Sequence, residues 1–205
     1  AYIDDFEFYK SAQGPTGKVY NHLVWSDEFN GSGSLDASKW YHQTKLPDGV
    51  SWYNGEIQHY TNQDSNAYVS DGMLHLVARK ESFTDQGVTK THTSARLNSK
   101  FVFTYGRVEV RAKLLSGVGT WPAIWMLGAN FDSVGWPTCG EIDIMEQKGW
   151  DKNKVLGTCH WSNNGNYAGY GLDTTVSNTS SSFHIYKLEW TEGGSIKFFV
   201  DNQQK

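Results

Sequence analysis

Three acids stand within six residues in the stretch Gly140-Glu141-Ile142-Asp143-Ile144-Met145-Glu146, set among large apolar side chains. On a β-strand alternate side chains share a face, so Glu141 and Asp143 point one way while Ile142 and Ile144 point the other. Unbroken alternation would put Glu146 on the isoleucine face, where a lone buried carboxylate is costly. A β-bulge at Ile144-Met145 returns it to the acid face, and such bulges are enriched beside active sites. The expected array is Glu141 and Glu146 flanking Asp143.

Same-face neighbours on a strand are about 6.7 Å apart, which puts the two glutamates roughly 13 Å apart at Cα and, leaning inward, about 5 Å apart at their carboxyls. That separation suits glycosidic hydrolysis with retention of configuration, one glutamate charged as nucleophile and the other protonated as acid. Three acids this close cannot all ionise freely, so mutual repulsion is expected to raise at least one pKa and keep that group protonated near neutrality. The competing readings are a solvated acidic strand and a calcium loop. A calcium loop wants closely spaced oxygens with glycine and asparagine, not Ile-Ile-Met between its acids.

The elements that must position these residues read as β throughout. Helical periodicity is hard to find, and short β-rich runs alternate with Gly, Asn, Asp and Ser clusters about every ten residues, as in sandwiches and barrels. The expected strands are His22–Asp27, Tyr68–Ser70, Met73–Arg79, His92–Leu97, Gly106–Ala112, Ala123–Leu127, Glu141–Glu146, Val155–His160, Phe183–Trp190 and Ile196–Val200. Asp71-Gly72 and Gly193-Gly194 are hairpin signals that favour antiparallel pairing.

A length of 205 residues fits a single all-β domain with a sizeable core. The net charge of -4 and the pI near 6.0 leave no basic field for a polyanion, which disfavours nucleic acid and sulfated polymers. No run approaches the roughly 18 apolar residues of a membrane span, and Ala1 to Lys10 lack the basic start and apolar middle of a signal peptide. Cys139 and Cys159 are too few for a disulfide scaffold and lack zinc spacing. Cys139 shares the parity of Glu141 and Cys159 should face away from His160, so both are expected as thiols.

Ser11 to Gly17 (SAQGPTG) reads as linker. The expected organisation is residues 1–10 as the tail of a preceding module or a stray strand, 11–21 as linker, and 22–205 as a catalytic β-sandwich. The chain stops at Lys205 just after the strand-and-turn signal FFVDNQQ, so C-terminal strands are expected to be missing.

WPAIWML (Trp121–Leu127) followed by GWPTCGEIDIMEQKG (Gly135–Gly149) closely resembles the family 16 glycoside hydrolases, in particular their laminarinase-like endo-β-1,3-glucanases. The resemblance extends through VWSDEFNG (Val24–Gly31), EIQHYT (Glu56–Thr61), TSARL (Thr93–Leu97), YGRVEVRAK (Tyr105–Lys113) and FHIYKLEW (Phe183–Trp190) to FFVD (Phe198–Asp201). It implies a β-jelly-roll of two curved antiparallel sheets with an open cleft on the concave face. It also implies Glu141 as nucleophile, Asp143 as its modulating neighbour and Glu146 as acid/base. YIDDFEFY (Tyr2–Tyr9) resembles either the end of a carbohydrate-binding module or the family's own last strand; in the second case Asp4 would help hold a structural calcium.

Trp121 and Trp125 are four apart, so on one strand they point the same way, and in this resemblance that way is into the cleft beside the acids. Indoles there would stack on sugar rings. The alternative is ordinary core tryptophan, and Pro122 marks a turn or edge. Trp136 precedes the acids in a loop. A hairpin joining Glu141–Glu146 to the next run would set His160 opposite the Glu141 end. Asn54, Glu56 and Arg96 match positions that line sugar subsites in the resemblance; surface ion pairs are the plainer reading of Glu56 and Arg96.

The resulting expectation is retaining endo-hydrolysis of β-1,3-glucan by a secreted, extracellular or periplasmic protein, monomeric, within a multi-module chain, with no cofactor for catalysis. Mixed-linkage β-1,3-1,4-glucan and galactans such as agarose are the alternative substrates; the bulged motif leans away from dedicated mixed-linkage enzymes, which usually carry a shorter E-x-D-x-E. A non-catalytic β-glucan-binding protein on the same fold is the alternative from another class, and such relatives lose the glutamates that this chain retains.

Overall fold

Short strands joined by tight turns make up nearly all of the regular structure, and the one helix among the described residues is a single turn, α1 (Phe131–Val134). The computed structural model describes residues 1–14 and 17–205. They form two compact units, Ala1–Asp4 with Asp27–Val102 and Asp5–Ser26 with Phe103–Lys205.

In the first unit the start of β1 (Tyr2–Gly14) pairs Tyr2 with His75 and Ile3 with Leu74 of β6 (Met73–Leu76), and β6 pairs with β5 (Ala67–Ser70). The turn between β5 and β6 is Asp71-Gly72, with φ of 55° and 71°. These are the two positive dihedrals that a two-residue hairpin of this twist requires. β3 (Trp40–His42) pairs with β9 (Leu97–Ser99), while β8 (Val88–Ser94) lies between β7 (Arg79–Asp85) and a parallel β4 (Gln58–Tyr60). Trp40, Leu46, Trp52, Val69 and Leu74 are buried here. The buried Asn66 is satisfied by accepting from Thr61 and donating to Thr93 and to Val77 O.

The second unit contains two sheets. One runs β17 (Gln203–Gln204), β16 (Ser195–Val200), β15 (His184–Thr191), β10 (Gly106–Lys113), β1, with β2 (Gly17–Asp27) also paired to β1. Val108, Val110 and Ala112 of β10 are buried while the intervening Arg107, Glu109 and Arg111 are not, the period-2 signature of a half-buried strand. The other runs β11 (Ala123–Leu127), β12 (Glu141–Glu146), β13 (Lys154–Asn163), β14 (Asn166–Thr175), all antiparallel. The sheets pack as a sandwich within this unit: Ile144 and Val155 of one face Phe198 and Val200 of the other across a common gap. A Cβ at Gly157 would lie 2.9 Å from the Phe198 ring, so that glycine lets the two layers close. The isoleucine face of β12 is thus the core face, and the acid face is the other.

The expected linker at 11–21 is corrected. Its described residues, 11–14 and 17–21, continue β1 and β2, and Pro15 and Thr16 lie outside the described residues. Tyr2–Tyr9 is therefore paired into sheet structure, held by the Tyr2 and Ile3 pairing and by Phe8, which is buried against Phe103. Two long strands were missing from the sequence expectation. β7 is mostly polar, and β14 (NYAGYGLDTT) carries glycines that weaken its strand signal.

Candidate active site

The bulge that the cost of burying Glu146 demands is present. Against β11, Asp143 pairs with Trp125 and Met145 with Ile124, leaving Ile144 as the extra residue. Against β13, Asp143 pairs with Thr158 and Glu146 with Leu156, three steps on one strand against two on its neighbour. Ile144 and Met145 are buried, whereas Glu141 and Glu146 remain partly exposed. The strand thus presents three acids on one side and keeps its apolar side chains on the other.

Asp143, only 4% exposed, is the most enclosed of the three. Burial, then the charges of Glu146 and Glu141 and a hydrogen bond with Glu141, push its pKa up to about 8. Glu146 is also raised, chiefly by burial and only partly offset by the Trp121 hydrogen bond and His160. The expected splitting of the acids is found, with two differences. Its largest cause is desolvation rather than repulsion, and the strongest shift falls on the central aspartate.

Each glutamate accepts one indole N–H. Trp121 Nε1 donates to Glu146 Oε1 at 2.9 Å, and Trp136 Nε1 donates to Glu141 Oε2 at 2.7 Å. Trp121 precedes β11 rather than lying on it, so the same-strand argument for its direction does not apply. It reaches the acids from the connection before the strand. Trp125 sits on β11 directly across from Asp143, and β11 is the edge strand that Pro122 signalled. Trp121 and Trp136 are about half exposed, as binding surfaces are and core tryptophans are not. Beyond Trp121, Trp150 meets it edge-on at 6.4 Å, with the Lys148 ammonium 5.4 Å from the Trp121 ring and 5.7 Å from that of Trp150.

His160 pairs with Glu141 across β12 and β13, and its Nε2 lies 3.0 Å from Asp143 Oδ2. Its Nδ1 meets the Tyr167 hydroxyl at 2.9 Å. Cys159, on the opposite face from His160, is a free thiol pushed up to about 11 by burial and the Asp143 charge; Cys139 is also free.

Asn54, Glu56 and Arg96 belong to the first unit, where Glu56 and Arg96 both act on Tyr60. Asn54 occupies a turn with φ of 60°. Glu56 Oε2 accepts from Gln58 Nε2 and the Tyr60 hydroxyl, each at 2.8 Å. Arg96 donates from Nε to Gln43 Oε1 at 2.9 Å and lies over the Trp52 ring at 5.0 Å. Among the described residues no group of three His, Cys, Asp or Glu is arranged to hold a metal ion, so Asp4 stands in no such group.

The model of one family, glycosyl hydrolases family 16, matches residues 54–205. The chain belongs to this family. Its relatives include a β-glucanase of Rhodothermus marinus, 43% identical over 88% of this chain and 63% of the relative. The glucan endo-1,3-β-glucosidase A1 of Niallia circulans is 37% identical over 89% of this chain and 28% of its own length. The chain therefore spans less than two thirds of either. Among solved structures, a Zobellia galactanivorans LamA variant in complex with laminaritriose and laminaritetraose superposes with a TM-score of 0.87 at 50% identity, covering 91% of this chain and 80% of that one. The all-β fold of this family 16 member is thus the fold of that enzyme.

Tyr167 is the site residue that sequence reasoning missed. Asn164-Gly165, with φ of 51° and 82°, is a two-residue hairpin signal of the same kind as Asp71-Gly72. Extending its register places Tyr167 opposite Ser162 and Gly169 opposite His160.

Proposed function

We propose that this family 16 chain catalyses retaining endo-hydrolysis of β-1,3-glucan, with Glu141 as nucleophile and Glu146 as acid and then base. The observation that carries this reading is the bulged β12, which sets both glutamates on the face of Asp143 and gives each one an indole donor. Names of relatives that act on β-1,3-glucan, and a laminari-oligosaccharide complex of a similar fold, support the substrate class.

Trp121 occupies Oε1 of Glu146, leaving Oε2 to deliver a proton to the glycosidic oxygen. Burial raises the pKa of Glu146 and so favours the protonated form that an acid needs. The Trp136 N–H and the protonated Asp143 both bind the Glu141 carboxylate and fix its direction of attack on the anomeric carbon. A protonated Asp143 donates a hydrogen bond without adding a second negative charge beside the nucleophile. Once the sugar is esterified to Glu141 and the leaving group has taken its proton, Glu146 is a carboxylate placed to activate water.

The test is product analysis on laminarin, lichenan and agarose, with proton NMR of the first anomer released. Oligosaccharides from laminarin that appear first as the β-anomer are expected. Release of the α-anomer, or binding of laminarin without cleavage, would overturn the proposal.

A further inference from the structure

Gly169 of β14 lies opposite His160, and its missing side chain is occupied by a neighbour: a Cβ there would collide with the Tyr167 hydroxyl oxygen. Tyr167, two residues earlier on the same face, leans back over this glycine. From that seat its hydroxyl meets His160 Nδ1 at 2.9 Å, and its ring stacks on Trp136 at 5.4 Å and 26°. The contacts close a circuit. Trp136 donates to Glu141, Glu141 is bonded to Asp143, Asp143 to His160, His160 to Tyr167, and Tyr167 stacks on Trp136. Tyr167 is 57% exposed, so burial of its own surface does not explain its place.

A neutral imidazole has one donor and one acceptor nitrogen, and the partner of one decides the state of the other. A phenol is a better donor than acceptor, so the Tyr167 O–H makes Nδ1 the acceptor and leaves the proton on Nε2. That N–H then donates to Asp143 Oδ2, and the Asp143 proton goes to Glu141. In the opposite tautomer, Nε2 would accept the Asp143 proton and take it from the nucleophile. The titratable groups facing His160 are Asp143 and Glu141 from β12, with Glu146 further along the same strand, and Tyr167 from β14.

We propose that Tyr167, seated over Gly169, is a positioning residue that holds His160 as its Nε2–H tautomer and thereby keeps the Asp143 proton directed at Glu141. The proposal rests on the retaining reading of Glu141 and Glu146 given above.

Tyr167→Phe keeps the stack on Trp136 and removes the hydroxyl, whereas Gly169→Ala keeps the tyrosine and displaces it. Imidazole nitrogen NMR of the whole chain reads the tautomer directly, whether or not the chain cleaves glucan. Wild type is expected to show His160 protonated at Nε2, and both variants are expected to lose that preference. On laminarin each variant should lose about tenfold in kcat, the worth of one hydrogen bond to a charged centre, with KM within twofold. The double variant should be no worse than either alone. An unchanged tautomer and kcat in Tyr167→Phe would overturn the proposal, as would a loss confined to KM, which would make Tyr167 a sugar platform. A chain with the expected tautomer that cleaves no glucan would instead sink the retaining reading.

Discussion

Trp121 donates its indole N–H to Oε1 of Glu146 at 2.9 Å. Burial raises the pKa of Glu146, and this bond pulls it back down. The two effects together set the pH at which the acid is still protonated.

Trp121→Phe keeps most of the ring and loses the donor. The pKa of Glu146 should then rise further, and because glycosidic cleavage needs its proton, the alkaline limb of kcat/KM should move to higher pH. The loss of one hydrogen bond should also lower kcat/KM on laminarin about tenfold. A pH-rate profile that coincides with wild type would remove Trp121 from this role.

Asp143 gives a stability prediction. Its pKa is about 8 in the folded chain against 3.8 ordinarily, so between these values the folded state holds a proton that the unfolded state has released. Stability from this group is full below about pH 4 and is lost as pH rises through 8. Asp143→Asn cannot titrate, and its melting temperature should rise by several degrees relative to wild type between pH 5 and pH 8 while its activity falls. Parallel melting curves across that range would show that Asp143 is not protonated in the fold.

The bulge can be removed. Deleting Met145 leaves Glu141, Asp143 and the former Glu146 at regular two-residue spacing, still on one face. The variant should fold and retain measurable hydrolysis of activated aryl glycosides. It should be less stable by about 2–5 kcal/mol, because a buried methionine side chain is lost. Urea unfolding measures the second expectation, and complete inactivity of the folded variant would contradict the first.

The acid row was legible because burying Glu146 with Ile142 and Ile144 is so costly that a bulge was the only cheap arrangement. His160 followed from the hairpin register. Trp121 reached the acids from a connection rather than from β11, so its placement agreed while the strand argument for it did not apply. The missing pieces have a common physical origin. β14 holds glycines where Tyr167 folds back and where β13 approaches closely, which lowers its strand propensity although its pairing is complete. Ser11–Gly14 and Gly17 read as linker by composition, yet they continue β1 and β2.

The nucleophile can be captured. An activated 2-deoxy-2-fluoro laminaribioside slows breakdown of the glycosyl-enzyme enough for peptide mapping by mass spectrometry. The adduct is predicted on Glu141, with no labelling in Glu141→Ser. An adduct on Glu146 or Asp143, or hydrolysis of laminarin with no adduct and inversion at the anomeric carbon, would contradict the assignment.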